Sequence, residues 1–171
     1  ADGIIFAGSG LSDPGHAEQI EEIIIEMTGR GAAAIALSQH TLRIPTIQAD
    51  NFSGGHDMTA RLIELGHQRI AFVSGPPNLA VANVRMQGYM AALVEKGLPI
   101  DPNLMLLGNF DQPSGERAAQ AVVQMRPEQR PTAIFASNDE MAVGTILGLQ
   151  QQGLQVPQDI SVCGFGDIPM S

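Results

Sequence analysis

Six short polar stretches each follow an apolar run: Gly8-Ser9, Ser38-Gln39, Ser74-Gly75, Asn109-Phe110, Ser137-Asn138 and residues 164–167. In an open α/β sheet, ligands bind beyond the carboxyl ends of the strands, so these stretches fall on one rim. Arg85 lies in the first turns of the helical segment after the run at 70–73, where it can face the same rim. A guanidinium offers a planar fork of donors for vicinal hydroxyls or a carboxylate. Asn138 brings both a donor and an acceptor, and Phe110 a face on which a ring can stack. Together they suit a small polyhydroxylated ligand. Each also has a plainer use. Arg85 can form a surface ion pair, Asn138 can cap a helix and Phe110 can pack a loop.

The elements that must position these residues follow from periodicity. Apolar runs occur at 4–7, 32–37, 46–49, 70–73, 104–107, 132–136 and 160–163, bounded by Gly, Pro, Ser or Asp, as buried parallel strands are. Between most of them, apolar residues recur at helical spacing over 16–28, 54–65, 82–96, 114–125 and 139–152. Gly66, Gly97 and Gly153 each stand where a left-handed residue would end a helix. Ser137-Asn138-Asp139 is suited to starting one. Strand–helix–strand alternation predicts an α/β fold with parallel, doubly wound sheets.

The run at 46–49 follows the one at 32–37 with no helix between them, which predicts a passage from one lobe to another near 50–53. The expected division is a partial first lobe over 1–52, a second lobe over 53–165 and a return crossing starting at 166–171. The first lobe then has three strands and one full helix. That is too little to cover a sheet on both faces, so the expectation is that its opening portion lies outside this chain. Both ends read as cut.

Composition excludes several functions. Nine Lys and Arg oppose 18 Asp and Glu, a net charge of −9, and the cations are scattered. Nucleic acids and anionic membranes are held by clustered positive charge, which this segment lacks. The single cysteine, Cys163, rules out a disulfide framework and fits a reducing compartment. No apolar run approaches the roughly 18–20 residues that span a bilayer. The four histidines, His16, His40, His56 and His67, have no metal-ligand spacing. No nucleophile–base pair and no glycine-rich phosphate or dinucleotide motif is found, so no catalytic residue, metal or cofactor is expected.

One set of motifs is specific. Glu64-Leu65-Gly66-His67-Gln68-Arg69-Ile70-Ala71-Phe72 with Ser74-Gly75-Pro76, Arg85-Met86-Gln87-Gly88-Tyr89, and Gly108-Asn109-Phe110 with Ser114-Gly115 occur in order. They are followed by Pro131-Thr132-Ala133-Ile134-Phe135-Ala136-Ser137-Asn138-Asp139 and by Val156-Pro157-Gln158-Asp159-Ile160-Ser161-Val162. This series resembles the lactose/galactose-repressor (LacI/GalR) family over essentially the whole chain. The resemblance implies a two-lobed, periplasmic-binding-protein-like effector domain of the cytoplasm, with a small-molecule effector between its lobes. It also implies a homodimer whose grip on operator DNA runs through an N-terminal headpiece not present here. A solute-binding protein for sugar transport, built on the same architecture, is the alternative.

The family's ligand positions correspond to Arg85, Asn138, Phe110, Ser38 and Gly166. Ser38 stands near a position often held by aspartate. Gly166 interrupts a stretch the family usually writes Gly-Phe-Asp-Asp, here Gly164-Phe165-Gly166-Asp167. Losing two carboxylates beside a retained Arg85 would favour an acidic effector such as a sugar acid. Alternatively, Gly166 makes room for a bulkier neutral sugar or nucleoside, or frees a hinge. Hinge crossings are expected at 50–53 and 166–169.

Overall fold

The computed structural model describes residues 2–7, 14–37 and 42–169. The chain divides into two compact units: Ala1–Asp50 with Pro77–Val81, and Asn51–Pro76 with Ala82–Ser171. The second unit takes up the chain at Asn51, two residues earlier than the sequence reading begins its second lobe. Asn51 is already the first residue of a helix, so the expected boundary falls inside that helix's first turn.

The first unit contains β1 (Gly3–Phe6), α1 (Pro14–Gly29) and β2 (Ala33–Ala36). The two strands pair in parallel, with Gly3 opposite Ala33 and Phe6 opposite Ala36. The expected third strand at 46–49 is not formed. Thr46 makes only an isolated parallel bridge to Ala36. Pro45, which precedes it, has no N–H to offer a ladder, and a single bridge does not propagate. Burial in this unit is shallow. Ile24 and Ala36 are buried, but Ile5 (66% exposed), Ile25 (69%) and Ile47 (63%) face outward. A two-stranded sheet with one helix cannot cover both of its faces.

The second unit follows the predicted alternation closely. It runs α2 (Asn51–Glu64), β3 (Ile70–Ser74), α3 (Ala80–Glu95), β4 (Met105–Leu107), α4 (Gln112–Gln124), β5 (Ala133–Ala136), α5 (Asp139–Gln151) and β6 (Ser161–Cys163). Its four strands are all parallel, in the order β4-β3-β5-β6. Alternate strand residues feed two cores, as a period of two requires. Ala71, Val73, Ile134 and Ala136 pack with Val122 of α4 and Met141 and Leu149 of α5. Ile70, Phe72, Ala133 and Phe135 pack on the other face with Leu62 of α2 and Tyr89 and Leu93 of α3. Tyr89 carries its hydroxyl into that core and satisfies it by donating to the Ile70 carbonyl at 2.8 Å.

The order in which strands are added reverses at β3. The connection through α3 goes outward to β4, whereas β5 lies on the opposite side of β3. The helices that follow these two central strands cover opposite faces, the arrangement in which loops of an open sheet part at the carboxyl rim. The three helix-ending glycines adopt positive φ as expected: 96° at Gly66, 68° at Gly97 and 79° at Gly153. Among the described residues, no helix is long and apolar enough to cross a membrane.

Candidate functional site

The rim of the second unit is a chain of contacts that starts at Phe110 and ends beyond Gly166. Phe110 follows β4 with φ 62°, a conformation strained for a bulky side chain. Three contacts hold it there. Its carbonyl accepts from Asn138 Nδ2 at 3.0 Å. Its ring packs against Gly75, where any Cβ would overlap it. The next residue, Asp111, caps α4 by accepting from the Ser114 N–H at 2.8 Å.

Asn138 has a second task. Its Oδ1 accepts from the Met141 N–H at 3.0 Å and caps α5. Its amide therefore joins the start of α5 to the Phe110 turn, and one Nδ2 hydrogen is left for another acceptor. The plain reading of Asn138 as a cap holds, and its two side-chain heads serve different partners.

One residue before it, the Ser137 carbonyl accepts from Arg85 NH1 at 2.5 Å. Arg85 Nε donates to Asn51 Oδ1 at 2.9 Å, and the guanidinium carbon lies 4.2 Å from the centre of the Phe165 ring. Two of five N–H groups are thus engaged and the plane is clamped against an aromatic face. The remaining three have no partner among the described residues. Burial pushes the Arg85 pKa down to about 10, and Asp139 pulls it the other way, so the group stays a cation at neutral pH. The Ser137 hydroxyl is fully buried with no hydrogen-bond partner among the described residues.

Asp139, itself buried, sits beneath the turn after β6. Its Oδ2 accepts from the Ile168 N–H at 3.0 Å. Gly166 has φ 139°, where only glycine is at ease, and a Cβ built there would stand 3.2 Å from that same Oδ2. At Gly164 a Cβ would overlap Asp139 Oδ1. Gly164 is therefore required by the packing of Asp139 beneath it, and Gly166 by its backbone conformation. An aspartate at 166 would bring a second negative charge against the first.

The chain is 36% identical over 130 residues to the HTH-type transcriptional repressor CytR of Escherichia coli, covering 76% of this chain and 38% of that protein. It is 34% identical over 171 residues to catabolite control protein A of Priestia megaterium, covering 99% of this chain and 49% of that one. The family profile described as periplasmic binding proteins and sugar binding domain of LacI family matches residues 1–169. The chain belongs to that family.

The LacI-family chain spans less than half the length of either relative. Among solved structures, a regulatory protein of the LacI family from Chloroflexus aggregans superposes with a TM-score of 0.86 at 28% identity. That match covers 99% of this chain and 58% of that one. The architecture is thus the periplasmic-binding-protein-like fold that the motifs implied, and the relatives are transcriptional regulators.

Of the five residues singled out from sequence, the LacI-family fold brings Arg85, Asn138, Phe110 and Gly166 onto one rim, and Ser38 lies outside the described residues. Asp139 stands close enough to Arg85 to act on its charge. Asn51, Phe165 and Asp139 were not singled out. The usable signal was the pair Gly54-Gly55, since adjacent glycines early in a helix mark a close approach. A Cβ at Gly54 would overlap the Phe165 ring, and one at Gly55 the Arg85 carbonyl. Among the described residues, no group of three or more His, Cys, Asp or Glu could hold a metal ion.

Proposed function

We propose that this chain is the effector-sensing part of a LacI-type transcriptional regulator of the cytoplasm. It takes up a small, hydroxyl-rich molecule at the unit-2 rim and passes its occupancy to an operator-binding headpiece. The single observation that carries the reading is Arg85. A cation is held by Asn51, the Ser137 carbonyl and Phe165, with three N–H groups still without partners among the described residues. A preorganised guanidinium of this kind binds vicinal oxygens without first spending the entropy of ordering itself. Phe110 and Asn138 complete the rim with an aromatic face and a remaining amide donor. Sugars, sugar acids and nucleosides all present the required oxygens.

The family profile, which carries a sugar-binding domain in its description, and the named repressors among the relatives favour a regulator over a transport protein. Catalysis has no nucleophile–base pair to run on in the described rim. The regulator is proposed to work as a homodimer, and the effector shifts it only in so far as it binds one conformation better than the other.

Titration calorimetry with D-ribose, D-gluconate and cytidine tests the reading. At least one should bind, and the same ligand should alter operator affinity in the full-length regulator. Turnover of a bound ligand, or binding with no effect on operator affinity, would overturn it.

A further inference from the structure

Arg85 has four rotatable side-chain bonds, and an arginine left to itself samples many of them. Here Asn51 supplies the one side-chain acceptor among the three contacts that hold the plane. Asn51 Oδ1 takes the Nε–H, which lies in the guanidinium plane and turns with it about the Cδ–Nε bond. With that hydrogen placed, NH1 meets the Ser137 carbonyl and the flat face meets Phe165. Asn51 is only 6% exposed, so its amide is held by packing as well as by the hydrogen bond. It is also the first residue of α2 and the first residue of the second unit, joined directly to Asp50 of the first.

We propose that Asn51 is a positioning residue: its hydrogen bond orients Arg85 for the effector and makes the Asp50–Asn51 link sensitive to what Arg85 binds. The proposal rests on the reading of Arg85 as an effector contact. Any change of backbone dihedrals at that link swings the Asn51 amide, and Arg85 Nε is the group it carries. By reciprocity, an effector that favours one orientation of the guanidinium favours one setting of the link. Asp139 provides a matching tie at the other end of the rim, where it acts on Arg85 and accepts from the Ile168 N–H.

The test compares the wild-type chain with Asn51→Ala, Asn51→Asp and Leu62→Ala, the last a core change about three turns further along α2. Side-chain ¹⁵N NMR follows the Arg85 Nε–H, assigned by its disappearance in Arg85→Lys. Calorimetry follows D-ribose, D-gluconate and cytidine. In Asn51→Ala the Nε–H should exchange with water at least about tenfold faster, and any probe that binds the wild type should bind about tenfold more weakly. Asn51→Asp, which keeps an acceptor, should retain slow exchange and most of the affinity. Leu62→Ala should lose stability and change neither readout.

Unchanged exchange in Asn51→Ala overturns the proposal, as does an equal acceleration in Leu62→Ala. Faster exchange with unaltered probe affinity overturns it too. If no probe binds the wild type, the failure falls on the effector reading, and the exchange comparison still decides whether Asn51 positions Arg85.

Discussion

Arg85 concentrates the chemistry of the rim, so its removal is the sharpest test at the residue scale. Arg85→Ala should weaken binding of whichever sugar, sugar acid or nucleoside the wild type takes by at least about tenfold, or ~1.4 kcal/mol, measured by calorimetry. Gly166→Asp restores the residue that the family's usual pattern has there. The side chain would occupy φ 139° and face Asp139 Oδ2. Urea unfolding should show a loss of about 1–3 kcal/mol, the usual cost of a strained backbone position.

A third residue gives a pH signature. His56 is gripped by Asp57 and Glu95, whose carboxylates hold its pKa above the ordinary 6.5. A raised folded pKa means that the charged form is the one favoured by folding. The stabilisation is therefore complete below pH 6.5 and fades as pH rises through the folded value. His56→Gln should fall short of the wild type most clearly in mildly acidic urea melts. The shortfall should shrink at alkaline pH, and it is small throughout because both carboxylates face solvent.

At the scale of elements, the pairing of helices rests on glycines that bring backbones together. A Cβ at Gly144 of α5 would overlap the Gln112 carbonyl of α4, and one at Gly115 of α4 would overlap the Met141 carbonyl of α5. Alanine ordinarily gains about 1 kcal/mol over glycine inside a helix. At these two positions the overlap should outweigh that gain, with a net loss of about 1–3 kcal/mol in chemical denaturation. Gly29, which ends α1 and has nothing within 4 Å of an added Cβ, is the contrasting case, and Gly29→Ala should be neutral or slightly stabilising. The same logic explains why α2 opens with Gly54-Gly55. Without them neither Phe165 nor the backbone of Arg85 could lie where the rim needs them.

The molecule as a whole is uneven. The second unit buries two apolar layers on either side of a four-stranded sheet, whereas the first leaves Ile5, Ile23, Ile25, Leu37 and Ile47 exposed. Amide protection tracks buried contact, so opening should be much easier in the first unit. Hydrogen exchange on this chain should find the amides of β1 and β2 exchanging orders of magnitude faster than those of β3 and β5. Equal protection in both sheets would contradict the burial pattern.

Periodicity alone placed all four helices and four strands of the second unit, because an apolar stripe of period 3.6 or a buried run needs no knowledge of its partner. The cap at Asn138 and the helix ends at Gly66, Gly97 and Gly153 were equally local, and the ordered motifs were enough to indicate the family. The run at 46–49 was misread as a strand, since a strand exists only if a neighbour pairs with it and here only Thr46 does. The surroundings of Arg85 were the other thing tertiary structure had to decide. Its hydrogen-bond partner Asn51 is 34 residues away and the carbonyl of Ser137 is 52. Those groups meet only because the order of strand addition reverses at β3 and two glycines let α2 close on α3, and no local pattern in a chain encodes which distant side chains such packing will bring within 3 Å.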